Sequence, residues 1–157
     1  AIRLLKFKGM KVAGQMRYAG SRLIECARSA GDEKESSYLI RDGAICMDRA
    51  ATLWEHKNPT NAAFSWERAG RVTARLWYKH QDLNDLRDAR RYFGAALRMF
   101  GMTAGDGESA RQLNTKRAYR SLLSQRSVRR ERSEEEEQKL QPTEFQGRHL
   151  EDFVDQE

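Results

Sequence analysis

The chain has 157 residues, a length that corresponds to one domain with room for a terminal tail. Charged residues make up 33% of the sequence and apolar residues 39%, and no run of eighteen apolar residues occurs, which excludes a protein with several membrane spans. Cys26 and Cys46 fit no metal-ligand spacing and are expected to be ordinary buried thiols. The abundance of Ala, Leu, Arg, Gln and Glu, with only two prolines, favours helix over sheet.

The net charge of +6 is the sum of two unlike parts. Residues 1–130 contain 26 Lys and Arg against 13 Asp and Glu, whereas residues 131–157 contain 3 against 10. We therefore predict a basic helical domain over residues 1–130 and an acidic, largely extended tail over residues 131–157. A basic surface attracts phosphates, anionic lipid or an acidic protein face, and the alternative explanation is that the charge only keeps a helical protein soluble.

The first two predicted helices follow from apolar and small residues that recur every three or four positions. Gly31, as a left-handed cap, and Asp32, as a new start, separate these helices, and the second helix should end before Asn58-Pro59. The predicted buried face of the first helix consists of Val12, Met16, Ala19, Leu23, Cys26 and Ala30. That of the second consists of Leu39, Ile40, Gly43, Ala44, Met47, Ala51 and Trp54.

Three further helices are predicted, so the fold class is all-α with about five helices. Thr60 is expected to cap the third helix and Asp85 the fourth, which should end at Gly101. Residues 101–107 are expected to form a flexible loop, and the fifth helix should begin near Glu108. The third helix has a buried face of Ala63, Trp66, Ala69, Gly70, Thr73, Leu76 and Trp77, and the fourth has one of Leu86, Ala89, Phe93, Ala96, Leu97 and Phe100.

An internal repeat organises these helices as two antiparallel hairpins. The matching pairs are Met16-x-x-Ala19-Gly20 with Trp66-x-x-Ala69-Gly70, and Ala44 and Ala51 with Ala89 and Ala96. The second hairpin resembles a tetratricopeptide repeat, whose Trp, Leu-Gly, Ala, Phe and Ala positions are matched by Trp66, Ala69, Gly70, Ala89, Phe93 and Ala96. The resemblance implies that these six residues pack the two helices closely together. A generic antiparallel helix pair is the alternative, and the long first helices also look like those of SNAP-type adaptors and pentatricopeptide-like hairpins.

The sequence contains no pattern typical of catalysis or of a cofactor site. The three histidines lie in separate segments without metal-ligand spacing, so we expect surface or capping roles for His56, His80 and His149. The carboxylates of Asp82, Asp85 and Asp88 surround a helix start, where capping explains them. We therefore expect no enzyme activity, no metal, no cofactor and no small-molecule substrate.

The N-terminal segment suggests a location. Residues 1–28 contain seven Lys or Arg and one acidic residue, Glu25, which is the composition of a mitochondrial targeting segment or its remnant. With this start, its size and its hairpins, the chain is similar to the helical-repeat accessory subunit of euglenozoan mitochondrial ATP synthase. The resemblance implies a structural role in the matrix, on the outer face of the F1 head. Apolar anchors in the tail would dock on neighbouring protein subunits, and these are Phe145, Leu150, Phe153 and Val154.

Two alternatives remain open. The chain could contact RNA in a mitochondrial ribosome or another ribonucleoprotein, with phosphate contacts from Arg117, Arg120, Arg126, Arg129 and Arg130. Against this, no RRM, KH or zinc-knuckle signature is present. The second alternative is a soluble adaptor whose hairpin groove holds a partner helix or peptide.

Overall fold

The structure is a computed structural model that describes the backbone of residues 2–103 and 109–125 and the side chains of residues 9–102 and 109–125. This part of the chain contains five helices and no strand, which confirms the predicted all-α fold. The helices are α1 (Ile2–Ser29), α2 (Glu33–Trp54), α3 (Pro59–His80), α4 (Leu83–Thr103) and α5 (residues 110–125).

The contacts divide the chain into a compact unit, Ala1–Leu122, and a second unit, Leu123–Glu157, of which residues 123–125 are described and helical. The predicted acidic tail lies outside the described residues. Its four apolar anchors, Phe145, Leu150, Phe153 and Val154, therefore stay a prediction.

Each of the helices α2 to α5 has a side-chain N-cap at its start. The acceptors are Asp32, Asn58, Asp82 and Ser109, which receive the backbone N–H groups of Lys34, Asn61, Asn84 and Gln112 at 2.8–3.2 Å. The predicted cap at Asp32 is confirmed, whereas those at Thr60 and Asp85 are wrong. Pro59 explains the first error, because proline is favoured at the first helical position and leaves the preceding Asn58 as the cap. Asp85 instead lies in the first turn of α4 and binds a residue of α2.

The predicted break at Gly31 is confirmed, because α1 ends at Ser29, but the left-handed conformation predicted for Gly31 and the stop predicted at Gly101 are wrong. No glycine in the described part of the chain has a positive φ, and α4 continues through Gly101 to Thr103. Among the described residues, the left-handed backbone conformation occurs at Gln81 (φ 58°), the C-cap of α3. The backbone N–H of Gln81 donates to the Trp77 carbonyl. At the other end of the chain, α1 begins ten residues before the predicted first apolar residue Val12.

Each hairpin has a close helix contact at a glycine. Between α1 and α2, a Cβ atom on Gly20 would lie 2.7 Å from the carbonyl oxygen of Gly43, and one on Gly43 would lie 2.8 Å from that of Gly20. Between α3 and α4, a Cβ atom on Gly70 would lie 2.9 Å from the ring of Phe93. The two contacts are related by a shift of 50 residues. The internal repeat is therefore a repeat of helix crossings.

The second hairpin buries all six residues identified by the tetratricopeptide resemblance, namely Trp66, Ala69, Gly70, Ala89, Phe93 and Ala96. Trp66 and Ala69 belong to a core cluster shared with α2, whereas Ala89 and Phe93 pack with Leu122 of α5. The second hairpin is thus covered on both sides. The faces predicted for α2, α3 and α4 are buried, apart from partly exposed Leu39, Ile40 and Leu97.

The buried face of α1 is displaced by one residue along the sequence from the predicted face, which is therefore wrong. The buried positions are Ala13, Gly20, Ile24 and Ala27, whereas Val12, Ala19 and Cys26 are exposed. Both stripes are apolar, but only the observed one contains Gly20, which allows the backbones of α1 and α2 to approach. The expectation of buried thiols also fails for Cys26, while Cys46 is partly buried.

Side-chain contacts join each helix to the next but one in the sequence: α1 to α3, α2 to α4 and α3 to α5. Three ion pairs join α2 and its C-cap residue Glu55 to α4 at seven-residue intervals, namely Arg41 with Asp85, Asp48 with Arg91 and Glu55 with Arg98. Polar contacts also join α1 to α3 and α3 to α5, at Arg17 with Asn61, Glu67 with Arg111 and Tyr78 with Ser121. The even-numbered and odd-numbered helices therefore form two layers, an arrangement compatible with a helical repeat.

The contact between Arg41 and Asp85 is the most buried of these ion pairs. The Nε and Nη2 groups of Arg41 donate to the two carboxylate oxygens of Asp85 at 2.9 and 2.8 Å. The Asp85 side chain is 3% exposed, and its hydrogen bonds raise the pKa of Arg41 above the usual value. A bidentate pair of this kind fixes the position of both helices.

The glycine crossing yields a matched pair of substitutions within α1. Gly20→Ala should destabilise the protein by about 1–3 kcal/mol, because the added methyl group meets backbone rather than a mobile side chain. Gly14→Ala should be neutral or stabilise by up to about 1 kcal/mol, because nothing lies within 4 Å of its Cβ position. Urea unfolding of both variants measures the difference, and equal stabilities would contradict the close crossing.

The buried ion pair gives a second test of the fold. Asp85→Asn should lower the free energy of unfolding by about 2 kcal/mol, because partly exposed Arg41 loses a buried carboxylate and keeps only Asp82 at 3.8 Å. As a control, Asp88→Asn changes a more exposed carboxylate and should alter stability by less than about 0.5 kcal/mol. Urea unfolding at neutral pH is the measurement, and similar effects of both substitutions would argue against the assigned role of Asp85.

Candidate functional site

Positive charge is concentrated in the layer of odd-numbered helices. The described side chains of α1, α3 and α5, over residues 9–29, 59–80 and 110–125, include twelve Lys and Arg but two acidic residues, Glu25 and Glu67. The helices α2 and α4 contain seven Lys and Arg and six acidic residues. The odd layer is therefore the strongly basic part of the described chain.

A cleft of about 280 Å³ opens between α1, α2 and α3 in this basic layer. Its lining consists of Ile24, Ala27 and Arg28 from α1, Ser36 and Ile40 from α2, and Arg68, Arg71, Val72 and Arg75 from α3. Ile24, Ala27 and Val72 are each less than one-tenth exposed, so they form an aliphatic floor. The four arginines surround this floor, and no lining residue is acidic.

Helix geometry explains how the arginines meet. Arg68, Arg71 and Arg75 are spaced by three and four residues, so they lie on one face of α3 along about 10 Å of its length. Arg28 approaches the cleft from the last turn of α1. At that end, the hydroxyl of Ser36 donates to the Ala27 carbonyl at 2.9 Å and joins the start of α2 to α1.

The arginines of the cleft have few acidic partners. Within the described residues, Arg28, Arg68 and Arg75 form no ion pair. Arg71 lies 3.6 Å from Glu67, but that carboxylate also contacts α5. The cleft therefore retains an excess of positive charge that an anionic ligand would neutralise.

Further cations adjoin the cleft and repel one another. Burial, followed by the charges of Arg68 and Arg111, lowers the pKa of Arg17 below its usual value. Two of these guanidinium groups lie against aromatic rings, Arg17 at 5.9 Å from the Trp54 centroid and Arg111 at 4.1 Å from that of Phe64. Arg111 also binds Glu67 at 3.1 Å, whereas Arg17 forms no ion pair with any described residue.

A second depression of about 440 Å³ continues the basic surface between α3, α4 and α5. It is lined by Glu67, Arg71, Phe93, Arg111, Asn114, Thr115 and Ala118. Arg71 lines both this depression and the cleft, so the two are neighbours along α3. The candidate site thus belongs to a larger basic surface across the odd layer.

Two of the residues proposed for phosphate contact, Arg117 and Arg120, are exposed on α5 and do not line the cleft. The other three, Arg126, Arg129 and Arg130, lie outside the described residues. Arg68, Arg71 and Arg75, which the structure brings together in the cleft, were not singled out from the sequence. The sequence does show that the third helix contains several arginines and a single acidic residue, Glu67. That Arg28 of α1 lies on the other side of the cleft is determined only by the packing of the helices.

The chemistry available in the cleft is ion binding. Arginine keeps its proton near neutral pH, and the only hydroxyl group in the lining, that of Ser36, already donates to a backbone carbonyl. Of the other candidate residues, His80 lies 3.3 Å from the Ser37 hydroxyl, His56 is exposed, and His149 lies outside the described residues. No group of three or more His, Cys, Asp or Glu residues in the described part could hold a metal.

The fold and the cleft together define an all-helical, helical-repeat-like protein with an arginine-lined cleft. The chain matches no protein-family model, no curated protein and no solved structure. Within the described residues, none of the helices has the length and apolar character needed to span a membrane.

The repulsion within the arginine cluster is measurable in the protein without a partner. Arg68→Gln should raise the free energy of unfolding by about 0.5 kcal/mol at low salt, because it removes a charge that disfavours protonated Arg17. The gain should disappear at about 0.5 M salt, where the Debye length is short. Arg49→Gln, on exposed α2 surface, is the control without an expected gain. Urea unfolding at both salt concentrations is the measurement, and a loss of stability in Arg68→Gln at low salt would contradict the repulsion.

Proposed function

We propose that this chain is a non-catalytic helical-repeat subunit that docks on an acidic surface of a larger protein assembly. The observation that carries the proposal is the arginine-lined cleft, because three of its four arginines have no ion pair within the described residues. Surplus charge of this kind is unfavourable in the isolated protein and becomes favourable when an anionic partner neutralises it.

The two-layer architecture supports a docking role. The ion pairs between α2 and α4 hold the hairpins side by side, while the cleft uses residues of α1, α2 and α3. A rigid surface loses little conformational entropy on binding, so more of the interaction energy contributes to affinity. The lining includes no unengaged nucleophile or general base, which favours binding over catalysis.

The most specific form of the proposal is an accessory subunit on the F1 head of mitochondrial ATP synthase, on the matrix side. The basic composition of residues 1–28 and the similarity in size and hairpin layout support it. The tetratricopeptide-like packing of Trp66, Gly70 and Phe93 is consistent with such a structural subunit. In this form, the acidic tail would add a second contact to the same assembly.

RNA binding is the second candidate function, and one observation favours it. Residues 110–125 of α5 contain four Lys and Arg and no acidic residue, and both Arg117 and Arg120 are exposed. Such a helix can neutralise phosphates, with an affinity that falls steeply as the salt concentration rises. The cleft itself has no aromatic lining residue on which a base could stack.

Three double variants, each of which changes the net charge by the same amount, distinguish protein docking from RNA binding. The cleft variant is Arg68→Glu with Arg75→Glu, the α5 variant is Arg117→Glu with Arg120→Glu, and the control is Arg49→Glu with Arg87→Glu. Each tagged full chain is expressed at its native level and purified at moderate salt, with and without nuclease, for quantitative mass spectrometry. The cleft variant should lose its protein partners at least tenfold regardless of nuclease, because reversed charges repel an acidic surface.

The control variant should keep those partners, because Arg49 and Arg87 lie outside the cleft. Partner retention by the cleft variant would overturn the docking proposal. Partners that disappear on nuclease treatment, together with their loss from the α5 variant alone, would support RNA binding instead. Recovery of ATP synthase subunits would support the most specific form, and recovery of another protein complex alone would contradict that form while supporting docking.

A further inference from the structure

The cleft combines two surfaces that different parts of a ligand would need. Its floor consists of the aliphatic side chains of Ile24, Ala27 and Val72, and partly buried Ile40 adjoins them. Its rim is formed by arginines from α1 and α3. A small inorganic anion would gain nothing from contact with the aliphatic floor, and a purely apolar ligand would leave the charges of the rim without a partner. The lining therefore favours a ligand in which an aliphatic group and negative charges are close together.

From this lining, and on the basis of the proposed docking function, we infer that the cleft binds a short acidic peptide segment of a partner protein. The segment inserts one aliphatic side chain onto the floor, and the carboxylates on either side of that anchor bind the arginine rim. The class of motif is acidic, aliphatic, acidic. Recognition of acidic motifs by arginine clusters is a recurrent mode of peptide binding.

The dimensions of the cleft suit such a segment. Its volume of about 280 Å³ is large enough for an aliphatic side chain. The three arginines of α3 extend over about 10 Å, which is the length of roughly three residues of extended chain. The motif is therefore about as long as the row of cations that it contacts.

The arrangement of the rim matches an extended chain. Successive side chains of an extended peptide point in opposite directions, so the neighbours of a buried anchor point away from the floor. Arg28 stands on the α1 side of the cleft, and Arg68, Arg71 and Arg75 stand on the α3 side. The flanking carboxylates start above the floor, and the long arginine side chains of the rim can extend to them from both sides. Planar guanidinium groups bind carboxylates through two parallel hydrogen bonds.

The lining favours a peptide over nucleic acid. No aromatic residue lines the cleft, so unstacked bases would find no ring on which to stack. A phosphate backbone would use the arginines but would leave the aliphatic floor in contact with sugar and water. Because Arg28, Arg71 and Arg75 are exposed, binding of the acidic segment should be salt-dependent and of moderate affinity.

Fluorescence anisotropy with a synthetic probe tests the inference. The probe is a fluorescein-labelled peptide of sequence Gly-Glu-Glu-Leu-Glu-Glu-Gly, and its matched control has Ser in place of Leu. The full chain should bind the Leu peptide with Kd on the order of 10–100 µM at about 50 mM salt. The Ser peptide should bind about tenfold more weakly, because burial of the Leu side chain is lost.

Protein variants locate the binding site. The variant with Arg68→Gln and Arg75→Gln should weaken binding of the Leu peptide at least tenfold, whereas Arg49→Gln on α2 should leave it unchanged. Arg75→Gln alone changes an exposed residue and should weaken binding about fivefold, which keeps the test valid if the double variant fails to fold. A labelled single-stranded RNA of about twelve nucleotides is measured in parallel.

The outcomes separate this inference from the docking function on which it rests. Equal binding of the Leu and Ser peptides would overturn the role of the floor. Tighter binding of the RNA, lost in the same arginine variants, would overturn peptide recognition. If no peptide binds but Arg68→Glu with Arg75→Glu still releases the partners in cells, docking stands and the motif is wrong. If the peptide binds as expected but that charge-reversal variant keeps its partners, the motif stands and the docking function is wrong.

Discussion

The close contact between the backbones of Gly20 and Gly43 determines how the rest of the molecule is arranged. Because neither residue has a side chain, α1 and α2 approach until a methyl group on either would meet the other's carbonyl oxygen. Ile24 lies directly over Gly43, which turns the Ile24 and Ala27 face of α1 inward. The same two residues form part of the cleft floor, so a contact that builds the first hairpin also shapes the candidate site.

Arginine has different roles in the two layers. In the even layer, Arg41, Arg91 and Arg98 each bind a carboxylate of the neighbouring helix, and charge is largely balanced. In the odd layer, the carboxylate of Glu67 lies 3.6 Å from the cleft residue Arg71 but is shared with Arg111 of α5. Within the described residues, Arg28, Arg68 and Arg75 have no ion pair, and the proposed docking function gives them an acidic partner in another protein. In that proposal, the ion pairs of the even layer stabilise the fold, whereas the arginines of the odd layer contribute to binding.

Much of the fold could be predicted because helices depend on local patterns. The burial of Trp66, Gly70 and Phe93 followed from helical spacing and from the resemblance to a tetratricopeptide repeat. The helix starts were less predictable where several capping residues occur together, as at Asp82 and Asp85. There, the choice depends on Arg41, which is more than forty positions away and recruits Asp85 for an ion pair. Local propensity cannot include such a partner.

The sequence by itself determined the helical class, the two hairpins, the contrast between a basic body and an acidic tail, and the absence of recognisable catalytic motifs. These properties depend on composition and on spacing within single helices, which the chain displays directly. Only the tertiary structure decided which stripe of α1 is buried and which arginines share a cleft. Arg28 and Arg75 are 47 positions apart, and their approach depends on the packing of α1, α2 and α3. Contacts between distant positions arise from the close approach of whole helices, and no local pattern encodes them.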